Sequence, residues 1–131
     1  TLALFSEEEY QWHRETKVPA IPFSSTALGF FEKLKKAGVQ VQGGDLVSEG
    51  NLEMIPASTR AMYWNEENLK TYERLLKLQG ETGYSLQALS AAFFMAQPFQ
   101  AIPVGGARNE KQLTELLDAG DIELPLEAFV G

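Results

Sequence analysis

The 131-residue chain contains no cysteine and only one histidine, His13. The lack of cysteine excludes disulfides and thiolate chemistry, and it leaves the redox compartment undetermined. The chain therefore lacks the ligands from which a dedicated zinc site is usually built. We expect His13 to be an ordinary surface or interface histidine, because no nucleophile or carboxylate constellation accompanies it.

Long apolar runs and an excess of positive charge are also missing. No apolar run approaches the length of a membrane span, and no signal peptide is recognisable. The formal net charge of −7 argues against a general nucleic-acid or anionic-membrane surface, although it allows one local basic pocket. With 44% hydrophobic and 22% charged residues, the composition is that of a globular protein with one sizeable core. We therefore expect a cytoplasmic protein with neither nucleic-acid nor membrane partners.

The strongest local signals lie between Phe99 and Leu117. A short apolar run ends in a glycine pair, and Asn109 and Gln112 follow with the spacing of a helix capping box. This pattern predicts a strand, a glycine-rich turn and a helix. Backbone N–H groups at such a helix start can bind a phosphate, and Arg108 in the turn can add a bidentate partner. The alternative is an ordinary strand-to-helix connection, in which the glycines serve only the tight turn.

The rest of the chain predicts helices and one further strand. A capping box of Ser6 and Glu9 begins a helix over about 7–16, and Val18–Phe23 is expected to be a short strand despite its two prolines. Residues 39–61 hold glycines and prolines without periodicity, which predicts a long irregular loop or insertion. Further helices are expected over about 28–37, from the Asn65 cap to Gly80, and from the Ser85 cap to Ala96.

Two parallel strands among several helices would leave unpaired sheet edges, which isolated proteins normally avoid. We therefore expect an α/β chain, mostly helical with about two parallel strands, that completes a larger sheet.

At this point the sequence resembles the aldo/keto reductase family. The segment Pro22–Phe31 is similar to the family pattern Y-S-x-L-x-x-G-x-x at the seventh barrel strand, and Asn68–Phe99 resembles the paired helices before the eighth strand. Residues Ile102–Leu113 resemble the cofactor loop I-P-G-A-R-N-x-x-Q-L, and Asp121–Leu124 matches the I-x-L ending. The resemblance implies the C-terminal portion of a (β/α)₈ TIM barrel, so that residues 1–131 would form one partial domain beginning after the sixth strand.

The resemblance also implies a binding site for a nicotinamide cofactor, NADP or alternatively NAD. Phe23 would stack on the nicotinamide, with Phe in place of the usual Tyr. The basic group for the 2′-phosphate of NADP would come from Arg108 or Lys111, and Leu116 departs from the asparagine common at its position. The other implied cofactor-binding residues are Ser24, Ser25 and Thr26 at the pyrophosphate, Gly106, Ala107 and Arg108 at the adenosine phosphate, and Gln112 and Glu115 at the adenine.

The family reduces small carbonyl substrates with an Asp, Tyr, Lys and His set, which the resemblance places in earlier strands and loops. None of the tyrosines of this sequence stands at the matching position, so we expect the chain alone to be inactive. A partial barrel would have apolar surface to cover, by self-association or by the missing N-terminal half. One alternative is a non-catalytic α/β module that assembles with another chain. A second is an unrelated small helical protein with a glycine loop.

Overall fold

The computed structural model describes residues 6–130. Helices dominate this part of the chain, and its two strands form a small antiparallel hairpin. The helices are α1 (Glu7–Thr16), α2 (Phe30–Ala37), α3 (Ala57–Tyr63), α4 (Glu66–Thr82), α5 (Leu86–Met95), α6 (Glu110–Asp118) and α7 (Leu126–Val130), and the strands are β1 (Gln40–Gln42) and β2 (Asp45–Ser48).

The predicted N-terminal caps are confirmed. The Ser6 side chain accepts from the Glu9 N–H while the Glu9 carboxylate accepts from the Ser6 N–H, which is the predicted capping box of α1. Asn65, Ser85 and Asn109 cap α4, α5 and α6 in the same way, each accepting from a backbone N–H three residues on. These helices begin where the sequence predicts because the start signal is local.

The core lies where α2, α4 and α5 pack together. Helix α5 is buried over eight of its ten residues and supplies much of this core. Phe30 and Tyr63 pack with their ring centroids 5.7 Å apart, and Tyr10 meets Phe93 edge to face at 5.8 Å. These contacts join α1, α2, α3 and α5 into one cluster.

The two predicted parallel strands are present only as a short parallel contact between extended residues 18–22 and 100–104. Ala20 forms an isolated parallel bridge with Ala101. The Ala20 N–H donates to Gln100 at 2.9 Å, and the Ile102 and Val104 N–H groups donate back to Ala20 and Pro22. Prolines 19, 22 and 103 have no N–H to donate, which keeps this ladder short. The expectation of two full parallel strands is therefore corrected to one bridge.

The predicted irregular loop over 39–61 is also corrected, because this stretch contains the hairpin β1–β2 and most of α3. Gly43 and Gly44 form the turn, both with positive φ, as a two-residue hairpin requires. The Glu73 carboxylate on α4 accepts from both of their N–H groups at 2.8 Å. A contact thirty residues away thus fixes the hairpin on the helix.

Tyr72 links the hairpin side of the molecule to the core and gives an alkaline prediction. Its hydroxyl donates to the Val39 carbonyl, and burial, with a smaller effect of the Glu32 charge, raises its pKa from 10 to about 12. Above pH 10 the unfolded state loses this proton while the folded state keeps it, so stability falls between pH 10 and about 12. Tyr72→Phe should cost about 1 kcal/mol at pH 8 through the lost hydrogen bond.

The same variant should lose stability less steeply than the wild type as the pH rises above 10. Urea unfolding at pH 8, 10 and 10.5 measures this difference, and burial also raises the pKa of Tyr10 and Tyr63, which remain in both proteins as a common background. Parallel pH profiles for the two proteins would show that Tyr72 does not cause the alkaline loss.

Candidate functional site

A cleft of about 700 Å³ opens where the two extended segments end. We call it the cationic cleft. One wall is the turn after residue 22, and a second is the loop before α6, with Gly105, Gly106 and Arg108. Helix α2 and the start of α3 complete it with Glu32, Lys33, Lys36, Ser58 and Thr59. The segment 39–61, which the sequence predicts to be an irregular loop, therefore supplies part of a wall.

The turn at the end of the first extended segment has an unusual backbone. Ala27, Leu28 and Gly29 are consecutive and left-handed, with φ of 52°, 56° and 70°. Left-handed conformations cost non-glycine residues free energy and cluster where a surface must be shaped for binding. The buried Ser25 hydroxyl donates to the Val104 carbonyl at 2.9 Å, which fastens this turn to the facing loop.

The loop before α6 is held by the side chain of Gln112. Asn109 caps the helix by accepting from the Gln112 N–H at 2.9 Å, as predicted. The Gln112 amide oxygen accepts from the Arg108 N–H at 2.8 Å, and not from the Asn109 N–H that a capping box would use. The reciprocal bond is displaced by one residue, so it fixes the backbone of Arg108, whose side chain lines the cleft.

Three cations face the cleft, Lys33, Lys36 and Arg108, against one carboxylate, Glu32. The ion pairs among the described residues are Arg14–Glu7, Lys70–Glu66 and Lys111–Glu115, so none of the three cleft cations has a carboxylate partner. Burial, and then the positive charges of Arg108 and Lys36, lower the pKa of Lys33. In a chain of net charge −7, this is a local positive field suited to an anion.

The sequence-predicted site residues divide into two groups. Ser24, Ser25, Thr26, Gly106, Arg108 and Gln112 line the cationic cleft together. Ala107 and Glu115 are not among its lining residues. Glu115 lies 4.0 Å from the Lys111 ammonium, whose side chain is 86% exposed. Of the two basic residues considered for a 2′-phosphate, only Arg108 lines the cleft.

Phe23 lies on the other side of the same turn. Its side chain is 78% exposed and borders a second cavity of about 500 Å³ along residues 19–24, which we call the apolar groove. Ser24 and Leu28 border both cavities, so the groove and the cationic cleft are neighbours. His13 also borders the groove, with Nδ1 2.7 Å from the Val18 carbonyl and its ring stacked on Phe99.

Sequence reasoning missed Lys33, Lys36, Ser58 and Thr59. The two lysines are three residues apart on α2 and therefore share a helix face. From the sequence alone, a face with two lysines is expected to be exposed to solvent. The one sequence signal for these lysines is their position, because α2 begins shortly after Ser24, Ser25 and Thr26, which the family resemblance places at the pyrophosphate. Ser58 and Thr59 gave no signal, because their segment had no recognisable periodicity.

Residues 6–130 contain no group of three metal-ligating side chains and no helix long and apolar enough to cross a membrane. The cations, backbone amides and hydroxyls of the cleft instead suit phosphate oxygens.

Comparison with known proteins agrees with the resemblance read from the motifs. No curated protein and no solved structure matches the chain significantly. A family model described as the aldo/keto reductase family matches residues 3–129, nearly the whole chain, and the protein therefore belongs to the aldo/keto reductase family.

Proposed function

We propose that the cationic cleft binds the phosphates of NADP and that the chain is the cofactor-binding C-terminal part of a carbonyl-reducing oxidoreductase. Membership of the family supports an oxidoreductase function in general, and its members typically use nicotinamide cofactors. The observation that carries the proposal for this chain is the meeting of Lys33, Lys36 and Arg108, without carboxylate partners, beside the Gly105–Gly106 loop.

The residues of the cleft fit a dinucleotide. Gly106 lines the cleft, and a methyl group added there would have no atom within 4 Å, so the space beside this glycine is open. Arg108 has its backbone fixed by Gln112, and its guanidinium can bind phosphate oxygens as a fork. Ser24 and Thr26 offer hydroxyl groups on the opposite wall.

The chain's own part in the reaction is to bind and orient the cofactor. When bound, the nicotinamide supplies a hydride to a carbonyl carbon. Phe23 offers an exposed aromatic face next to the cleft, on which a planar ring can stack. Arg108 and Lys33 would hold the phosphates and Gln112 would lie at the adenosine end. The proton for the carbonyl oxygen belongs to the Asp, Tyr, Lys and His set, which we propose lies outside this chain.

NADPH titration of Arg108→Ala tests the proposal. Removing a charged hydrogen bond to phosphate should weaken binding by about 1.5–3 kcal/mol, which is roughly ten- to hundred-fold in Kd. Lys111→Ala is the matched control, because Lys111 stands three residues after Arg108, on the first turn of α6, and is exposed outside the cleft. The Lys111→Ala protein should bind NADPH within about two-fold of the wild type. NADH should bind more weakly than NADPH, and its affinity should change less on Arg108→Ala.

A folded protein that binds neither NADPH nor NADH would contradict this function. It would favour the second candidate, a module that assembles with another chain. The observation behind that candidate is the apolar face of the two extended segments, where Ile21, Phe23, Ile102 and Val104 are 49–78% exposed. Sedimentation of the wild type against Ile21→Ser/Ile102→Ser distinguishes them: loss of self-association in the variant supports the assembly module.

A further inference from the structure

We propose that Lys33 is a site of covalent capture for small phosphorylated aldehydes, which it holds as an imine inside the cationic cleft. This inference goes beyond cofactor binding, because it concerns a chemical reaction of a side chain of this chain with a different class of ligand. It requires a lysine that is reachable, able to present a lone pair, and placed next to a phosphate-binding group. Lys33 meets all three conditions.

The geometry makes the ammonium of Lys33 reachable and oriented. Lys33 lines the cleft and its Nζ donates to the Leu28 carbonyl at 2.6 Å. Leu28 is in the left-handed turn that forms the neighbouring wall, so this bond holds the amine at the cleft and not in bulk solvent. A neutral amine can keep this bond through one N–H while its lone pair faces the cavity.

The electrostatic surroundings favour the neutral amine. No carboxylate pairs with Lys33 among the described residues, while burial and the nearby charges of Arg108 and Lys36 lower its pKa. Lys70, by contrast, pairs with Glu66, which raises its pKa. The surroundings of Lys33 therefore move it toward the nucleophilic form, whereas those of Lys70 hold it in the charged form.

The same charges select the ligand. Arg108 and Lys36 attract a phosphate group into the cleft, and an aldehyde carried by that ligand then lies within the same cavity as the Lys33 amine. The amine lone pair attacks the aldehyde carbon to give a carbinolamine, which loses water to give the imine. One amine and one aldehyde thus yield one imine and one water, and no oxidant or reductant is consumed.

Pyridoxal 5′-phosphate is a suitable probe, since it carries both groups and its imine is fixed by borohydride reduction. We expect peptide mapping by mass spectrometry to find Lys33 labelled about ten-fold or more faster than Lys35, because a field of clustered like charge concentrates an anion by at least this factor. Pyridoxal without the phosphate should lose this preference. Lys33→Met should lose the rapid label, and Arg108→Ala should slow it while leaving Lys33 in place.

Lys35→Met is the matched control, because Lys35 lies two residues after Lys33 on α2 and its ammonium donates to Gln79 outside the cleft. In this variant Lys33 should be labelled at the wild-type rate. Label spread over the seven lysines, or concentrated on Lys36, would overturn the proposal. NADPH should protect Lys33 if the proposed function holds. Rapid labelling of Lys33 that NADPH does not slow would support the capture site and contradict the cofactor site.

Discussion

Gly50→Ala is expected to destabilise the folded protein more than any other single substitution proposed for this chain. Gly50 has φ of +59°, and a Cβ built there would lie 2.1 Å from the Ala37 carbonyl oxygen and 2.7 Å from the Gly38 carbonyl carbon. Both are backbone atoms, and the Asn51 N–H donates to the same Ala37 oxygen at 2.7 Å, so the contact cannot be relieved by turning a side chain. We expect a loss of about 3 kcal/mol or more in the free energy of unfolding.

Gly43→Ala separates the clash from the conformation. Gly43 has nearly the same φ, +62°, but a Cβ there would meet nothing within 4 Å. The free energy of unfolding of this variant should fall by only about 1–2 kcal/mol, the cost of a non-glycine residue in the left-handed conformation. Urea unfolding followed by circular dichroism measures both variants under the same conditions. Equal losses in the two variants would show that the approach of residue 50 to α2 does not constrain the fold.

Gly106→Val is expected to weaken NADPH binding by about ten- to hundred-fold while leaving stability unchanged, since overfilling a fitted site typically costs about 1–3 kcal/mol. Gly106 has no positive φ and no neighbour within 4 Å of an added Cβ, so the fold accepts the larger side chain. Gly106 lines the cleft, so we expect the added methyl groups to occupy space that the cofactor needs. Calorimetric titration gives the affinity, and a thermal melt gives the stability.

Gly120→Val serves as the control for Gly106→Val. Gly120 is likewise free of neighbours within 4 Å, but it lies outside the cationic cleft. Its affinity for NADPH should match that of the wild type. The affinity of Gly106→Ala for NADPH is expected to lie between those of the wild type and Gly106→Val. Normal NADPH binding by Gly106→Val would show that the cofactor does not contact this loop.

The parts of the fold that the sequence predicts are those whose signals are local. Ser6 and Asn109 start helices through bonds to residues three positions on, so a few residues suffice to recognise them. The hairpin over 40–48 is not predicted although its Gly43–Gly44 pair is a local turn signal, because its strands of three and four residues are too short to show a strand period. It is stabilised by Glu73, thirty residues away, and that contact has no sequence signature.

The candidate site shows the same division. The position of Arg108 in a glycine loop at the start of α6 could be predicted, because glycines, a basic residue and an N-cap stand next to one another in the sequence. Lys33 and Lys36 could not, because their role depends on how α2 is rotated relative to a loop seventy residues later. On sequence alone, lysines on an amphipathic helix indicate a solvated face.

The Ala20–Ala101 bridge also has a consequence for folding kinetics. Its partners stand some eighty positions apart, as do Ser25 and Val104. Closing a flexible loop of that length costs about 4 kcal/mol in chain entropy, beyond a constant term. The hairpin and helix pairs close much shorter loops, so we expect them to form first and the bridge late. Since the bridge joins the two walls of the cleft, ligand binding in a refolding experiment would report the last step of folding.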